Sequence, residues 1–574
     1  MPPLPPKYHD TLIVGAGFGG IYQLHSLLNP NNLNSQTQTQ TQPQTQPQTQ
    51  PQTQRQPVNV HLIDESPSTG GTWFWNRYPG AMSDTESFVY RYSWDKDDLQ
   101  TYPWHRHYLK QPDVLLYLEH VVRKNDLRRH MSLNTRMKGA VWDAENGVWR
   151  VSAVRVRRRD VFGLRRPGGD REEEEEGEEI SFVARYLVTA LGLLSKKNYP
   201  DLRGMKDFRG TICHTAAWRD DIDLTNKRVG VVGTGSTGVQ VITEIAGKVK
   251  SLTCFQRRAQ YSAPSRDGPV SASYRAKINQ DYDAIMANVQ ESRVGFGFEE
   301  STRAYESVPE ADREAIFEHF LVANEAACNF IRKKIGEIVQ DPEKARMLMP
   351  RDRYARRPLC DTGYYEQFKR DNVHIVDDGT EHELDVVIFA TGFDAVEGNY
   401  TRLQIRGVGG RTLQEHWAEK GPTSYLGLFV PKFPNLCLIT GPQGPFCNLP
   451  AAIETHVRFV TSLICSAELS RKVAAAAGTV AGTGQEITRT IIEATTESEK
   501  QWMELCEQIA DGSLFKETAS WIFGSNVSGK KEAVRFYLGG LKNYNQVLRK
   551  VMEDGLRGFK PLLQGTGGNP QSKF

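Results

Sequence analysis

The chain has 574 residues, of which 71 are lysine or arginine and 69 are aspartate or glutamate, so its net charge is only +2. This balance excludes a strongly basic protein and argues against nucleic acid as a partner, while the length suffices for two or three domains with full cores. The eight cysteines show no CxxC pair and no metal-ligand spacing, which predicts reduced thiols and no metal site.

Membrane and export signals are missing from the sequence. No apolar run approaches the ~20 residues of a membrane-spanning helix, and residues 1–10 lack the apolar segment of a secretory signal. We therefore expect a cytoplasmic protein without a membrane span. The last three residues, Ser572-Lys-Phe574, differ by one residue from a peroxisomal Ser-Lys-Leu signal; the alternative is an ordinary polar tail.

The chain opens with a dinucleotide-binding pattern. A short apolar strand, Thr11–Val14, runs into a turn containing Gly15, Gly17 and Gly20, and a helical pattern follows from residue 21. Such a turn brings backbone N–H groups and the positive end of a helix dipole to a pyrophosphate. The next strand, residues 58–63, ends at Asp64, which is placed to accept from a ribose hydroxyl.

A glutamine-, threonine- and proline-rich tract, residues 36–56, separates this turn from its acidic residue. Without the 21 residues of the tract, Asp64 would follow Gly15 by 28 residues. The tract cannot bury a core, so we expect a disordered insertion in a surface loop.

Opposite charges follow one another in the next part of the chain. The basic run 155–166 precedes the acidic run 171–179, and strand patterns flank both at 149–154 and 180–183. We expect a solvated hairpin whose charges cancel, followed by a buried strand that ends at Gly192.

A second dinucleotide pattern begins with the strand Arg228–Val232 and is followed by a helix expected to start near Val239. Its turn consists of Gly233, Thr234, Gly235, Ser236, Thr237 and Gly238. The next strand, residues 252–255, is followed by Arg257 and Arg258, where an NAD site would carry an acid. Arginine there suits a 2'-phosphate, although a solvated basic pair is the alternative. An acid after the first turn and arginine after the second indicate FAD plus NADPH.

We therefore predict an α/β protein with two Rossmann-like dinucleotide-binding domains, for FAD and NADP, and a helical substrate-domain insertion. The expected boundaries are 1–145 and 381–574 for the FAD domain, 146–200 for the hairpin and crossover strand, 201–265 and 349–380 for the NADP domain, and 266–348 for the insertion. Residues 349–361 are expected to form a charged turn that enters a helix, and a helix is predicted over Ala451–Cys465.

Two segments resemble the Baeyer–Villiger monooxygenases of the cyclohexanone monooxygenase type. The aromatic segment 70–87 is similar to their flavin-contacting segment. Residues Phe208, Gly210, His214 and Trp218 match their fingerprint, although Arg219 stands where the pattern has proline or aspartate. The resemblance extends from about Thr11 to about Gly558 and covers nearly the whole chain.

The resemblance implies roles for individual residues. Arg357 would be the catalytic arginine, with Asp84 orienting it. The FAD set would be Gly15, Gly17, Gly20, Asp64, Thr72, Trp73, Asp84, Tyr90, Met137 and Leu449. The NADP set would be Met82, Gly233, Thr234, Gly235, Ser236, Thr237, Gly238, Arg257, Arg258, Arg356, Arg357 and Trp521, with Trp521 on a mobile loop.

The implied activity converts a ketone, expected to be cyclic, into an ester or lactone with O2, FAD and NADPH through a C4a-peroxyflavin. One alternative is an oxygenase that acts on nitrogen or sulfur. Another is a pseudoenzyme, because the resemblance implies that the chain is shorter than this family at 317–329 and 376–384. A flavin disulfide reductase is disfavoured, because its cysteine pair should follow the first turn and the first cysteine here is Cys213. No feature of the sequence indicates an oligomeric state.

Overall fold

The computed structural model describes residues 5–31, 58–157, 175–296, 313–376, 379–480 and 489–564. The 36–56 tract, the charged tip of the expected hairpin and the C-terminal tripeptide lie outside these residues, so the predictions made for them stay predictions.

The strands are β1 Lys7–Val14, β2 Val60–Ile63, β3 Met131–Ser132, β4 Thr135–Asp143, β5 Val148–Arg157, β6 Glu175–Thr189, β7 Thr211–His214, β8 Arg228–Val232, β9 Ser251–Phe255, β10 Ser262–Pro264, β11 Leu359–Asp361, β12 Val373–Val376, β13 Val386–Phe389, β14 Gln404–Arg406, β15 Leu436–Leu438, β16 Gly444–Pro445, β17 Arg489–Thr490, β18 Phe536–Tyr537 and β19 Leu563–Gln564.

The α-helices are α1 Phe18–Leu28, α2 Thr72–Trp75, α3 Lys96–Thr101, α4 Gln111–Lys124, α5 Ser236–Ile245, α6 Ala272–Glu291, α7 Arg313–Ile338, α8 Pro342–Leu348, α9 Leu413–Trp417, α10 Leu449–Val480, α11 Thr496–Asp511 and α12 Leu541–Glu553. Among the described helices, none combines the length and the apolar character needed to cross a membrane.

The first sheet has the order β14-β4-β5-β6-β1-β2-β3, with β15 paired to β6. β1 is parallel to both β2 and β6, and its last four residues are buried because helices and strands cover both faces. β5 and β6 are antiparallel, which confirms the strands of the predicted hairpin. This sheet carries the first glycine turn at the carboxyl end of β1, where doubly wound sheets bind nucleotides.

The second sheet is entirely parallel, in the order β12-β9-β8-β13-β7. β8 coincides with the predicted strand. The second glycine turn follows β8 and leads into α5. This helix begins at Ser236 and not near Val239, because the turn itself supplies its first N–H groups. The predicted end of the NADP domain at residue 380 is also wrong. β13 lies beyond residue 380, yet it pairs with β8 and β7 and so belongs to this sheet.

The region predicted to be a helical insertion contains α6, α7 and α8 among its described residues. α7 runs without interruption across 317–329, where the resemblance predicts a shortened segment. The expected helix after the charged turn at 349–361 is not formed. Instead β11 pairs with β10 in parallel, and a 3-10 helix follows at Tyr365–Lys369. Pairing with a distant strand has overridden the local pattern.

Two segments connect the sheets: the first linker, residues 190–200, and the second linker, residues 390–396. They pair with each other, since the Asn198 N–H donates to the Gly392 carbonyl over 3.0 Å and the Asp394 N–H donates to the Lys196 carbonyl over 2.9 Å. Gly192 and Gly392 have φ of +71° and +76°, and a Cβ on either would meet nothing within 4 Å. The linkers therefore form a paired ribbon with a glycine of left-handed conformation on each strand.

Candidate active site

The first glycine turn leaves no room for a side chain at Gly15 or at Gly20. A Cβ at Gly15 would lie 2.3 Å from the Ala190 carbonyl oxygen, and one at Gly20 would lie 1.7 Å from the Gly15 carbonyl oxygen. Gly17 precedes α1 as its N-cap residue, so the first N–H groups of the helix are not satisfied by a capping side chain. This arrangement fits the pyrophosphate of a dinucleotide.

The second turn repeats this construction. A Cβ at Gly233 would lie 2.6 Å from the Ala390 carbonyl oxygen, and one at Gly238 would lie 2.1 Å from the Gly233 carbonyl oxygen. Gly235 differs, because a Cβ there would meet nothing within 4 Å, and as the residue just before α5 it provides no side-chain cap. The middle glycine thus leaves an open approach to the helix N-terminus, as a bound phosphate requires.

The acidic residue after β2 lies against the first turn. The Asp64 carboxylate accepts from the Ala16 N–H over 2.6 Å and from the Ser66 N–H over 2.7 Å. Its neighbour Glu65 is instead engaged by Arg136 over 2.8 Å and Arg402 over 3.3 Å. The structure therefore favours Asp64 over Glu65 as the carboxylate beside a ribose in the first domain.

A cavity of about 1840 Å³ is lined by residues of both dinucleotide domains. It brings together many of the residues predicted to bind cofactors, namely Thr72, Trp73, Met82, Asp84, Tyr90, Gly233, Thr234, Gly235, Ser236, Thr237, Arg257, Arg258, Arg356, Arg357, Leu449 and Trp521. The predicted residues outside its lining are Gly15, Gly17, Gly20, Asp64, Met137 and Gly238. Met137 is buried in the core beside the first sheet.

Trp73 and Tyr90 form one wall of the cavity. The Trp73 indole N–H donates to the Tyr90 hydroxyl over 3.2 Å, and the two rings meet edge to face with centroids 5.6 Å apart. Both residues belong to the segment that resembles a flavin-contacting segment, so this rigid aromatic pair is well placed beside a planar ring system.

Three arginines gather where the second turn opens into the cavity. The pKa of the Arg356 guanidinium is lowered, mainly by burial and further by the charges of Arg258 and Arg257, while Asp352 opposes the shift. The Arg356 Nε atom is buried without a hydrogen-bond partner among the described residues. A phosphate would relieve both the charge repulsion and the missing hydrogen bond, so the cluster fits the 2'-phosphate of NADP.

Arg257→Gln should weaken the use of NADPH and leave the use of NADH unchanged, because only NADPH carries the 2'-phosphate. Loss of one charged hydrogen bond corresponds to a rise of about 10- to 100-fold in the KM for NADPH. Steady-state kinetics with both coenzymes test this expectation. Arg351→Gln, at an exposed arginine outside the cavity lining, is the matched control. An equal effect on both coenzymes would contradict the assignment.

Arg357 and Asp84 form an ion pair on the cavity wall. Their side chains are 36% and 20% exposed, so both remain accessible from the cavity. The guanidinium is thereby oriented by a carboxylate from the first domain while its other N–H groups can face a ligand. The pairing predicted between these residues from the family resemblance is present in the structure.

A contact that sequence reasoning missed joins the two domains behind this wall. The Gln240 side chain on α5 accepts from the Tyr78 hydroxyl over 2.8 Å and donates to the Met82 carbonyl over 3.1 Å. Gly80 has φ of +82°, and a Cβ there would lie 2.6 Å from the Gln240 carbonyl oxygen. The Pro-Gly turn in the aromatic segment was the available signal of this contact. Its partner, Gln240, lies 158 residues after Met82 in the sequence, so the local pattern did not identify it.

The four fingerprint residues do not line the cavity. A Cβ at Gly210 would lie 2.5 Å from the Asp385 carbonyl oxygen, so glycine lets β7 approach β13. His214 is fully buried at the end of β7, and burial, followed by the charge of Lys197, lowers its pKa to about 4. Trp218 packs into the core of the second domain. The structure thus gives the fingerprint a role in fixing the edge of the second sheet near the linkers.

Comparison with characterised proteins supports this architecture, although no protein-family model matches the chain. A Baeyer–Villiger monooxygenase of Pseudooceanicola batsensis is 41% identical over 95% of both chains. A phenazine N-monooxygenase of Lysobacter antibioticus is 38% identical, with 96% of this chain and 97% of the relative covered.

Solved structures give the same result. The structure of cyclohexanone monooxygenase from Rhodococcus sp. Phi1 bound to NADP+ is 42% identical, with a TM-score of 0.81 over 98% of this chain and 100% of that one. A complex of OTEMO with FAD and NADP is 28% identical, with a TM-score of 0.77 over 97% and 100% of the chains. The chain therefore belongs to the Baeyer–Villiger monooxygenases, flavoproteins that use FAD and NADPH.

Proposed function

We propose that this protein oxidises an apolar, cyclic ketone to a lactone with O2 and NADPH. The observation that carries the proposal is the Arg357–Asp84 ion pair on the wall of the cavity that also receives the second glycine turn. Bound FAD supplies the chemistry that activates oxygen, and NADPH supplies the hydride.

Arg357 is the proposed catalytic residue. Negative charge develops on the ketone oxygen when the carbonyl carbon is attacked, and a preorganised donor lowers the barrier most where charge develops. A guanidinium suits this task because it stays protonated and donates in a fixed geometry. Asp84 holds it in place, so little reorganisation is needed during the reaction.

An aromatic wall supports an apolar substrate. The Phe446 ring lies 5.7 Å from Phe515, 5.2 Å from Phe536 and 6.2 Å from Trp521, measured between centroids, and all four residues line the cavity. This wall excludes water and offers no charge to a substrate. It therefore favours a hydrocarbon ring over a charged metabolite.

Oxygenation of an aromatic nitrogen is the second candidate function, because a relative at 38% identity is a phenazine N-monooxygenase. The two functions place different demands on Arg357. Attack on a ketone creates an oxyanion for the guanidinium to stabilise, whereas transfer of oxygen to a nitrogen lone pair does not.

Parallel incubations of the FAD-loaded enzyme with cyclohexanone and with phenazine, each with NADPH and O2, test the proposal. We expect a lactone from the ketone and no N-oxide from phenazine. N-oxide without lactone would contradict the proposal and support the second function. Consumption of NADPH without either product would support an impaired member of the family.

We further propose a cytoplasmic location. All eight cysteines lie among the described residues, none takes part in a disulfide, and six are buried, as suits a reducing compartment. Fractionation of the source cells with an antibody against the chain tests this, and recovery with the organelle or membrane fraction would contradict it.

A further inference from the structure

The Trp521 loop, residues 518–535, joins α11 and its following 3-10 helix to β18. Residues of this loop line the cavity, and Trp521 lies with Phe446 in the aromatic wall. What keeps the loop over the cavity is a set of contacts to the linkers, more than 100 residues away in sequence.

Lys530 makes the central contact. Its ammonium group forms ion pairs with Asp394 in the second linker and, over 2.9 Å, with Glu397. It also donates to the Ala395 carbonyl over 3.2 Å. The Lys530 and Asp394 side chains are 13% and 11% exposed, so this charged contact is mostly removed from water. Charge-assisted hydrogen bonds in such surroundings are the strong ones.

Asn526 adds two neutral hydrogen bonds between the loop and the linkers. The Asn526 side-chain N–H donates to the Phe393 carbonyl over 2.8 Å, and the Asn526 backbone carbonyl accepts from the Asn198 side chain over 3.0 Å. The loop is thus bound to both strands of the linker ribbon, at Asn198 in the first linker and just after Gly392 in the second.

Arg535 holds the loop together internally. It is almost completely buried, donates to the carbonyls of Phe523 and Ala533, and pairs with Glu397 over 2.6 Å. Lys196 pairs with Asp394 over 2.9 Å. Each carboxylate therefore retains a cation if Lys530 is lost, and removal of Lys530 should not leave an unpaired buried charge.

We propose that Lys530 is a positioning residue that latches the Trp521 loop onto the second linker, so that the loop closes the cavity only when the linkers adopt this paired arrangement. Rotation of one domain against the other would act at Gly192 and Gly392, alter the linker pairing and displace Asp394 from Lys530. Domain orientation and loop closure would thereby be coupled. The consequence for catalysis rests on the proposed function and on the NADP-binding role that the family resemblance implies for Trp521.

Limited digestion of the FAD-loaded enzyme with chymotrypsin tests the latch, since Trp521 and Phe523 are cleavage sites inside the loop. Lys530→Met should increase the initial rate of cleavage there about tenfold, whereas Lys530→Arg should restore most of the protection. The matched control is Lys531→Met, because the Lys531 ammonium donates to the Glu419 carbonyl and contacts neither linker. Equal cleavage of the two methionine variants would overturn the proposal.

Kinetics provide a second readout. Lys530→Met should raise the KM for NADPH several-fold and divert NADPH oxidation towards hydrogen peroxide, with kcat for flavin reduction unchanged at saturating NADPH. Asp394→Asn should have a similar effect, and the double variant should be no worse than either single variant. Additive effects would contradict a shared latch. If the parent enzyme made no lactone, the difference in cleavage would persist, and only the proposed function would fall.

Discussion

Arg357→Ala is expected to slow lactone formation about 100-fold while NADPH still reduces the flavin. Removal of one preorganised donor from a developing oxyanion costs about 3 kcal/mol of barrier, or roughly a 100-fold loss of kcat. The single-turnover rate of lactone formation measures this loss. Arg357→Lys should recover part of the rate, because lysine restores the positive charge but lacks the planar guanidinium with its several N–H donors.

Arg353→Ala is the matched control for this variant. Arg353 lies four residues away, pairs with Glu517 over 2.8 Å and stands outside the lining of the large cavity. We expect its loss to leave lactone formation unchanged. A normal rate in Arg357→Ala would refute the catalytic role, and a loss of flavin reduction alone would assign Arg357 to NADPH binding only.

Gly20→Ala is expected to yield protein without bound FAD. The added Cβ would lie 1.7 Å from the Gly15 carbonyl oxygen and 3.3 Å from a Leu62 methyl group, so the turn must open away from its phosphate-binding geometry. We expect the affinity for FAD to fall about 5- to 150-fold, because an overpacked site typically costs about 1–3 kcal/mol. The flavin absorbance of purified protein measures the effect.

Gly268→Ala controls for the general cost of replacing a glycine, because a Cβ at that position would meet nothing within 4 Å. It should retain its flavin. Full FAD occupancy in Gly20→Ala would contradict the assignment of the first turn, whereas loss of flavin from both variants would point to instability of the fold.

Local signals in the sequence were strong where a motif and its strand are contiguous. β8 was predicted to the residue, and the first turn, Asp64 and the second turn occupy the expected ends of strands. Backbone geometry explains this success, because the glycines must pack against a carbonyl of the neighbouring segment and so tolerate few alternatives.

Predictions failed where a distant partner determines the structure. β11 forms a strand because β10 lies beside it, about 97 residues earlier in the chain. The boundary at 380 failed because β13 inserts between β8 and β7. Likewise, Lys530 carried no signal of its own, since its carboxylate partner lies 136 residues away. Side-chain pairs of this kind follow from tertiary packing and not from local pattern.

Incubation of the FAD-loaded enzyme with cyclohexanone, NADPH and ¹⁸O₂ tests the central claim most directly. The proposed reaction consumes one ketone, one O2, one NADPH and one proton, and forms one lactone, one water and one NADP+. We therefore predict a seven-membered lactone carrying a single labelled oxygen atom, in an amount equal to the NADPH consumed. Unlabelled lactone, or NADPH consumption that yields only hydrogen peroxide, would contradict the account.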